Sequence, residues 1–341
     1  MDKDYLRLNY NENSYVKQFF KEASDNTIDF TCYPSVEFDE FKQRVANMYC
    51  VDSKNIYFGN GIDELIFTIT ILFSNEGDEI IIPEETFRGY EHSANILKRK
   101  AILSKLDNYK ISVSDIIRRI TKKTKVIFVC NPHNPTGTVM SKNDIKRLLR
   151  VCEEKKILFV LDEAYYEFCG DKEDWYQDSV KLDHFVVLRT FSKFYGAAGL
   201  RMGYAISNKK NIEKISQVKA ALPFNVNLAA QEYGFQVLDT IRKNKDEILS
   251  FYDRVRRYFY DALDNLHLFY VKSCTNFVLV KIGVDADEFC SIMKDQYHIL
   301  LKSGSEWGLN NFVRISMCGE DACDYLFQSM NKVFEKMLKA S

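Results

Sequence analysis

Between about residues 55 and 210, short apolar, β-branched runs alternate with stretches spaced as amphipathic helices. The runs are Glu79–Ile82, Val126–Cys130, Ile157–Leu161, Phe185–Leu188 and Met202–Ile206, and Lys142–Glu153 shows the helical spacing that separates them. Runs apolar on both faces suit the buried strands of a mainly parallel sheet, so the pattern predicts a large α/β domain over 36–230. After Pro223 the pattern changes. A long helical stretch from Asn227 to Leu263, with a break near Lys243–Asp246, leads to strands at Leu268–Val271, Phe277–Ile282 and Phe312–Met317. Helices near Ala286–Gln296 and Cys323–Met337 complete a smaller α+β C-terminal domain over 231–341. The polar arm 1–35 is too poor in apolar residues to form a core, and is expected to pack on the small domain or on a partner subunit.

Composition narrows the function classes. With 47 basic against 48 acidic side chains and a net charge of -1, the 341-residue chain lacks the basic footprint of a dedicated nucleic-acid binder. Its apolar runs, such as Leu65 to Phe73, are far shorter than the roughly 18 residues that cross a bilayer, and the charged start has no signal-peptide core. A cytoplasmic location is expected. The nine cysteines are scattered without a CxxC pair or a Cys/His cluster at ligand spacing. All are therefore expected to be reduced thiols, with no metal site.

In open α/β sheets ligands bind beyond the carboxyl ends of the strands, and three successive strand ends here carry chemistry. Val126–Cys130 runs into Asn131-Pro132-His133-Asn134-Pro135-Thr136-Gly137, a rigid turn presenting an amide. Ile157–Leu161 runs into Asp162-Glu163-Ala164-Tyr165, a carboxylate followed three residues later by a phenol. Phe185–Leu188 leads to Thr190-Phe191-Ser192-Lys193 and then to Gly199-Leu200-Arg201-Met202-Gly203-Tyr204. Each element alone has a plain structural reading: turn signal, helix cap or solvated lysine. Their order and spacing give them weight.

Together with Gly59-Asn60-Gly61-Ile62-Asp63-Glu64, the arm segment Leu8-Asn9-Tyr10-Asn11-Glu12-Asn13, Tyr33-Pro34 and Phe312-Val313-Arg314-Ile315-Ser316, these motifs make the chain resemble the fold type I pyridoxal-phosphate (PLP) aminotransferases of class I/II. Within them it is most similar to the histidinol-phosphate aminotransferase-like group. The resemblance covers nearly the whole chain. It implies a large domain with a mainly parallel sheet flanked by helices, a smaller α+β domain, PLP as cofactor and a homodimer with shared active sites.

The resemblance also assigns roles. Lys193 matches the lysine that forms a Schiff base with PLP and later carries a proton between substrate and cofactor. Asp162 matches the carboxylate that keeps the pyridine nitrogen protonated, and Asn134 and Tyr165 match the donors to the ring phenolate. The phosphate is expected at Gly61, Ile62 and Asp63, where a helix opens, with Thr190, Ser192 and Arg201 completing the cup. Phe87 matches the aromatic stacked on the ring, and Tyr33 a tyrosine that reaches the neighbouring subunit's phosphate. Arg314 matches the arginine that grips an anionic substrate, with Tyr15 and Asn134 expected beside it.

Some positions depart from the group. Cys32-Tyr33-Pro34 stands where Arg-Tyr-Pro is usual, Ser14 where a proline is usual, and Ile62 replaces a small residue in the phosphate cup. These changes bear on the substrate more than on the cofactor. The reading favours transamination of a small anionic amino acid or amino-phosphate. The alternative is a decarboxylase of a phosphorylated amino acid, suggested by Ser192-Lys193-Phe194-Tyr195 and Pro223-Phe224-Asn225-Val226-Asn227. A non-catalytic binding protein on this fold would have lost part of the set Lys193, Asp162, Asn134, Tyr165 and Arg201, all of which are present.

Overall fold

The computed structural model describes residues 5–20, 31, 33–35, 38–170, 174–223 and 225–340. Cys32 and Phe224, named above, lie outside the described residues, as do the first four residues and part of the arm. Seven strands form the main sheet: β1 Ile56–Gly59, β2 Glu79–Pro83, β3 Lys100–Ser104, β4 Thr124–Cys130, β5 Leu158–Asp162, β6 Phe185–Thr190 and β7 Gly203–Ile206. Their order is β1-β7-β6-β5-β4-β2-β3. The pairs β2–β3, β2–β4, β4–β5 and β5–β6 are parallel, while β7 is antiparallel to both of its neighbours. β5 and β6 are buried at every residue, as strands covered by helices on both faces must be.

Register sets the site. Cys130 at the end of β4 pairs with Asp162 at the end of β5, and Asp162 in turn pairs with Leu188 of β6. The side chains that follow these strands therefore emerge along one edge of the sheet. Helix α1, Gly61–Phe73, begins at the same edge immediately after β1. A second helix, α2 (Lys142–Lys155), is capped by Ser141, whose hydroxyl accepts the Asp144 amide.

The long helical stretch is two helices, α3 (Leu228–Lys243) and α4 (Lys245–Asn265), separated at Asn244 as the sequence suggested. Beyond them an antiparallel sheet is ordered β8-β9-β11-β10, from β8 (Phe269–Val271), β9 (Phe277–Lys281), β10 (Lys302–Ser303) and β11 (Phe312–Ser316). The arm lies against this part of the chain. Leu6–Arg7 pairs in parallel with Ile299–Leu300, and the Ser316 amide donates to the Leu8 carbonyl.

The expectation of nine reduced thiols is corrected at one pair. Cys169 and Cys274 are joined by a disulfide, with their Cα atoms 5.2 Å apart. They lie 105 residues apart in sequence, so spacing left no sign of the pair. The fold presses the segment after Tyr165 against the turn before β9. Cys50, Cys130, Cys152, Cys290, Cys318 and Cys323 are free.

Candidate active site

A cleft of about 240 Å³ opens where the carboxyl edge of the large sheet meets the arm and the antiparallel sheet. Of the residues singled out above, Ile62, Asp63, Phe87, Asn134, Asp162, Tyr165, Thr190, Ser192, Lys193, Arg201 and Arg314 line it. Residues far apart in sequence thus converge because the strand ends do.

Asp162 ends β5 and is 3% exposed. One carboxylate oxygen accepts the Ala164 amide at 3.0 Å and the other accepts the Tyr90 hydroxyl at 2.6 Å. Burial pushes its pKa up to about 6 against the opposing pull of those two bonds. A cation placed beside it would reverse that shift. Tyr90 went unnoticed in the sequence, yet it lies three residues after Phe87, at the opening of the helix Gly89–Ile96. Phe87 meets it edge-on at 5.6 Å.

Lys193 follows β6 in a loop, and its ammonium donates to the Tyr10 carbonyl of the arm at 2.8 Å. It lies 5.7 Å from the centre of the Tyr165 ring. Burial, helped by the charge of Arg314, brings its pKa down to about 8. Near neutral pH it therefore holds an appreciable fraction of free amine, the form that attacks a carbonyl. Tyr165 is 3% exposed, and its hydroxyl accepts the Asn11 side-chain amide at 3.0 Å. Burial raises the hydroxyl well above its ordinary pKa, with Arg314 and the Asn11 bond opposing, so it stays protonated.

Arg314, from the middle of β11, is 6% exposed. One terminal nitrogen donates to the Asn134 side-chain oxygen at 2.6 Å and the other to the Asn9 carbonyl at 2.7 Å. Its Nε is buried with no partner among the described residues, and the faces of Phe277 and Trp307 each lie 5.4 Å from the guanidinium carbon. A guanidinium held by neutral acceptors between two rings keeps its full charge for an incoming anion.

The opposite end of the cleft suits a phosphate ester. Gly61 opens α1 at φ 79°, and a Cβ there would lie 2.7 Å from Arg201 Nη2. Glycine alone fits that turn. Arg201 pairs with Asp63 at 2.7 Å, the first-turn amides of α1 have no helical acceptor, and Ser192 lies alongside. The Thr190 hydroxyl donates to the Met202 carbonyl at 3.2 Å and accepts the Ser192 amide at 3.0 Å, which fixes the loop leading to Lys193.

Two expected residues lie elsewhere. Tyr15 stacks on Phe251 at 3.6 Å and donates to Glu247, on the outer side of the arm, because α4 offers it a parallel ring and a carboxylate. Tyr15 therefore does not line the cleft of this chain. Tyr33 is 82% exposed and outside the cleft of this chain. Conversely, Trp307, Lys302 and Glu306 line the cleft and were not singled out. They sit in a polar, glycine-punctuated stretch around β10 that carries no catalytic pattern. Trp307 donates to the Thr86 carbonyl at 2.9 Å, tying the antiparallel sheet to the loop that bears Phe87.

The model of the family "Aminotransferase class I and II" matches residues 3–330. A histidinol-phosphate aminotransferase of Caldicellulosiruptor saccharolyticus is 33% identical over 322 residues, 91% of this chain and 87% of that protein. The histidinol-phosphate aminotransferase of Sinorhizobium meliloti, solved in complex with pyridoxal-5'-phosphate, superposes with a TM-score of 0.87 at 20% identity, covering 98% of this chain and 91% of that one. The L-threonine-O-3-phosphate decarboxylase of Porphyromonas gingivalis superposes with a TM-score of 0.80 at 23% identity, covering 97% and 99%. At these identities the two superpositions speak for the fold. The family match and the first relative, with the strand-end motifs gathered in one cleft, show that the chain belongs to the class I and II aminotransferases.

Proposed function

We propose that this chain binds PLP in the cleft and moves an amino group from a small anionic amine to an oxo acid. Histidinol phosphate is the first donor to test. The observation that carries the reading is the buried Asp162 carboxylate at one strand end with the pKa-lowered Lys193 amine at the next, in the same cleft. When bound, PLP supplies an electron sink for the bonds of the substrate α-carbon.

The remaining work falls to the chain. Asp162 holds a proton on the pyridine nitrogen, and Tyr90 and Ala164 fix its two oxygens. Tyr165 and Asn134 donate to the phenolate oxygen, Asn134 through the amide nitrogen that its bond to Arg314 leaves available. Phe87 covers a ring face. Gly61, Ile62 and Asp63 offer backbone amides to the phosphate, with Ser192, Thr190 and Arg201 beside them. Lys193 would hold the cofactor through its amine and, once released, is the base placed to take or return the proton of the substrate α-carbon. Arg314 binds the substrate anion, a carboxylate or a phosphate, since the planar fork fits both.

The same reading includes a homodimer in which Tyr33 serves the neighbouring site. A cytoplasmic location belongs to the same reading; no helix among the described residues is long and apolar enough to cross a membrane. A light-scattering measurement that found a fully active monomer would remove the shared site.

Reconstitution with PLP tests the central claim. The parent protein is expected to develop a visible imine band, and Lys193→Ala to lose both that band and essentially all turnover. A covalent adduct retained in Lys193→Ala would move the tether to another lysine. Mixing the loaded protein with histidinol phosphate, aromatic amino acids, phosphoserine and phosphothreonine identifies the substrate. Conversion of the cofactor to its amine form means transamination. Carbon dioxide release with PLP retained means decarboxylation instead.

A further inference from the structure

Asn11 lies on the arm, wholly buried, with a left-handed backbone at φ 52° that asparagine tolerates better than most residues. Its side chain is held from two sides. The Ser316 hydroxyl accepts the Asn11 backbone amide at 2.9 Å and donates to the Asn11 side-chain oxygen at 3.0 Å. The Asn276 amide fixes the Asn11 carbonyl at 3.1 Å. With its oxygen occupied by Ser316, the Asn11 amide turns its NH₂ toward Tyr165, donating at 3.0 Å. Turned over, the amide would leave the hydrogen of the buried Ser316 hydroxyl without an acceptor among the described contacts, which disfavours that orientation.

A phenol that already accepts a hydrogen bond on this side points its own hydrogen elsewhere. We propose that Asn11 is a positioning residue: clamped by Ser316, it donates to the Tyr165 hydroxyl and so aims the hydroxyl hydrogen into the cleft, at the cofactor's phenolate oxygen. The proposal rests on the cofactor reading above and extends it to a residue that touches neither cofactor nor substrate. It joins three parts of the chain: the arm, the strand that carries Arg314 two residues before Ser316, and the loop after β5. The other groups facing Tyr165 are Arg314 from β11, Cys130 from the end of β4, Asp162 from the end of β5 and Lys193 from the loop after β6. None of these donates to the hydroxyl among the described hydrogen bonds.

A donor to the phenolate oxygen stabilises its ionised form, so turning the Tyr165 hydrogen away should raise the pH midpoint of the visible band of the PLP-loaded protein. Asn11→Asp replaces the donor with an acceptor in a residue that also tolerates a left-handed backbone. It is expected to raise that midpoint by about one unit or more, comparable to Tyr165→Phe. In the Tyr165→Phe background the same substitution should add almost nothing, because Asn11 acts through the missing hydroxyl. Ser316→Ala provides an independent arm. By releasing the amide to turn over, it should raise the midpoint in the same direction, and Tyr165→Phe should abolish that rise. An unchanged midpoint in Asn11→Asp, or a rise that persists in full without the Tyr165 hydroxyl, overturns the proposal while leaving the cofactor reading intact. A parent protein with no visible band at all would overturn the cofactor reading and this inference with it. Should Asn11→Asp fail to fold, the Ser316→Ala pair decides alone.

Discussion

Asp162 shows how the chemistry of a single residue works against stability. Its buried carboxyl titrates near pH 6 in the absence of a cation, against about 3.9 in an unfolded chain. Below about pH 4 it is protonated in both states and burial costs little. As pH rises from about 4 to about 6 the unfolded chain has given up the proton while the folded one still holds it, so the cofactor-free protein loses up to about 3 kcal/mol from this group over that window. A bound pyridinium would offset that loss, whereas Asp162→Asn removes it without one. Denaturant unfolding of the two cofactor-free proteins between pH 4 and 8 should show the stability difference moving in the variant's favour by up to about 3 kcal/mol as pH rises. A difference independent of pH would mean that the surroundings of Asp162 do not hold its carboxyl uncharged. Arg314 carries the opposite kind of prediction. Its guanidinium is held by an amide oxygen and a carbonyl, neither of them charged, so truncation removes binding energy without stranding a buried carboxylate. Arg314→Ala is expected to weaken binding of the best substrate by roughly 2–4 kcal/mol while the spectrum of the bound cofactor barely changes. Substrate titration followed by absorbance would show it, and unaltered binding would take the anion-recognition role away from this residue.

At the scale of elements, the opening of α1 is where backbone conformation and ligand chemistry meet. Gly61 has a positive φ that L side chains rarely adopt, and a Cβ there would meet Arg201 Nη2, the far end of a long side chain, at 2.7 Å. Gly61→Ala must therefore shift either the turn or the arginine, and the first-turn amides would lose their aim. The expected result is a weakening of PLP binding by about tenfold or more, at a stability cost of only about 1–2 kcal/mol. Equilibrium dialysis and thermal unfolding of the same variant separate the two effects. Equal loss in both would make Gly61 a folding residue only. The strands β4, β5 and β6, which end at this edge, were legible because they are apolar on both faces and lead into unusual polar residues, whereas the four-residue β1 (Ile56–Gly59) is too short a run to stand out. β3 (Lys100–Ser104) was not legible either, since this edge strand is partly exposed and mixes lysine and serine with its apolar residues. The same reasoning explains the site. Residues at strand ends could be read from order and spacing, whereas Trp307, Lys302 and Glu306 reach the cleft only through the packing of a second sheet. Tyr15 stands outside the cleft of this chain through ring stacking on Phe251, a tertiary contact that no local pattern records.

Across the whole molecule, the cleft exists because three separate stretches close on it. The arm supplies the Tyr10 and Asn9 carbonyls to Lys193 and Arg314, and the antiparallel sheet reaches the large sheet through Trp307 and Thr86. A covalent tie runs beside these polar contacts. The Cys169–Cys274 disulfide links the segment just after Tyr165 to the turn before β9, and the Cys274 amide donates to the carbonyl of Gly137 in the Asn-Pro turn. Arg256 donates to the Cys274 carbonyl at 3.1 Å, which anchors the same turn to α4. Linking residues 105 apart restricts the unfolded chain far more than the folded one. Reduction is therefore expected to lower stability by about 2–5 kcal/mol and to loosen the packing of the antiparallel sheet on the Asn-Pro turn. Thiol counting in denaturant gives the direct check. The two cysteines in the bond should be silent without reductant, so two more thiols should react after reduction than before it. The unfolding midpoint should fall in step with the appearance of those two thiols, and a Cys169→Ser/Cys274→Ser variant should match the reduced protein. Nine reactive thiols in protein that had never met a reductant would show that these two cysteines stay unpaired, and the closure of the cleft would then rest on the polar contacts alone.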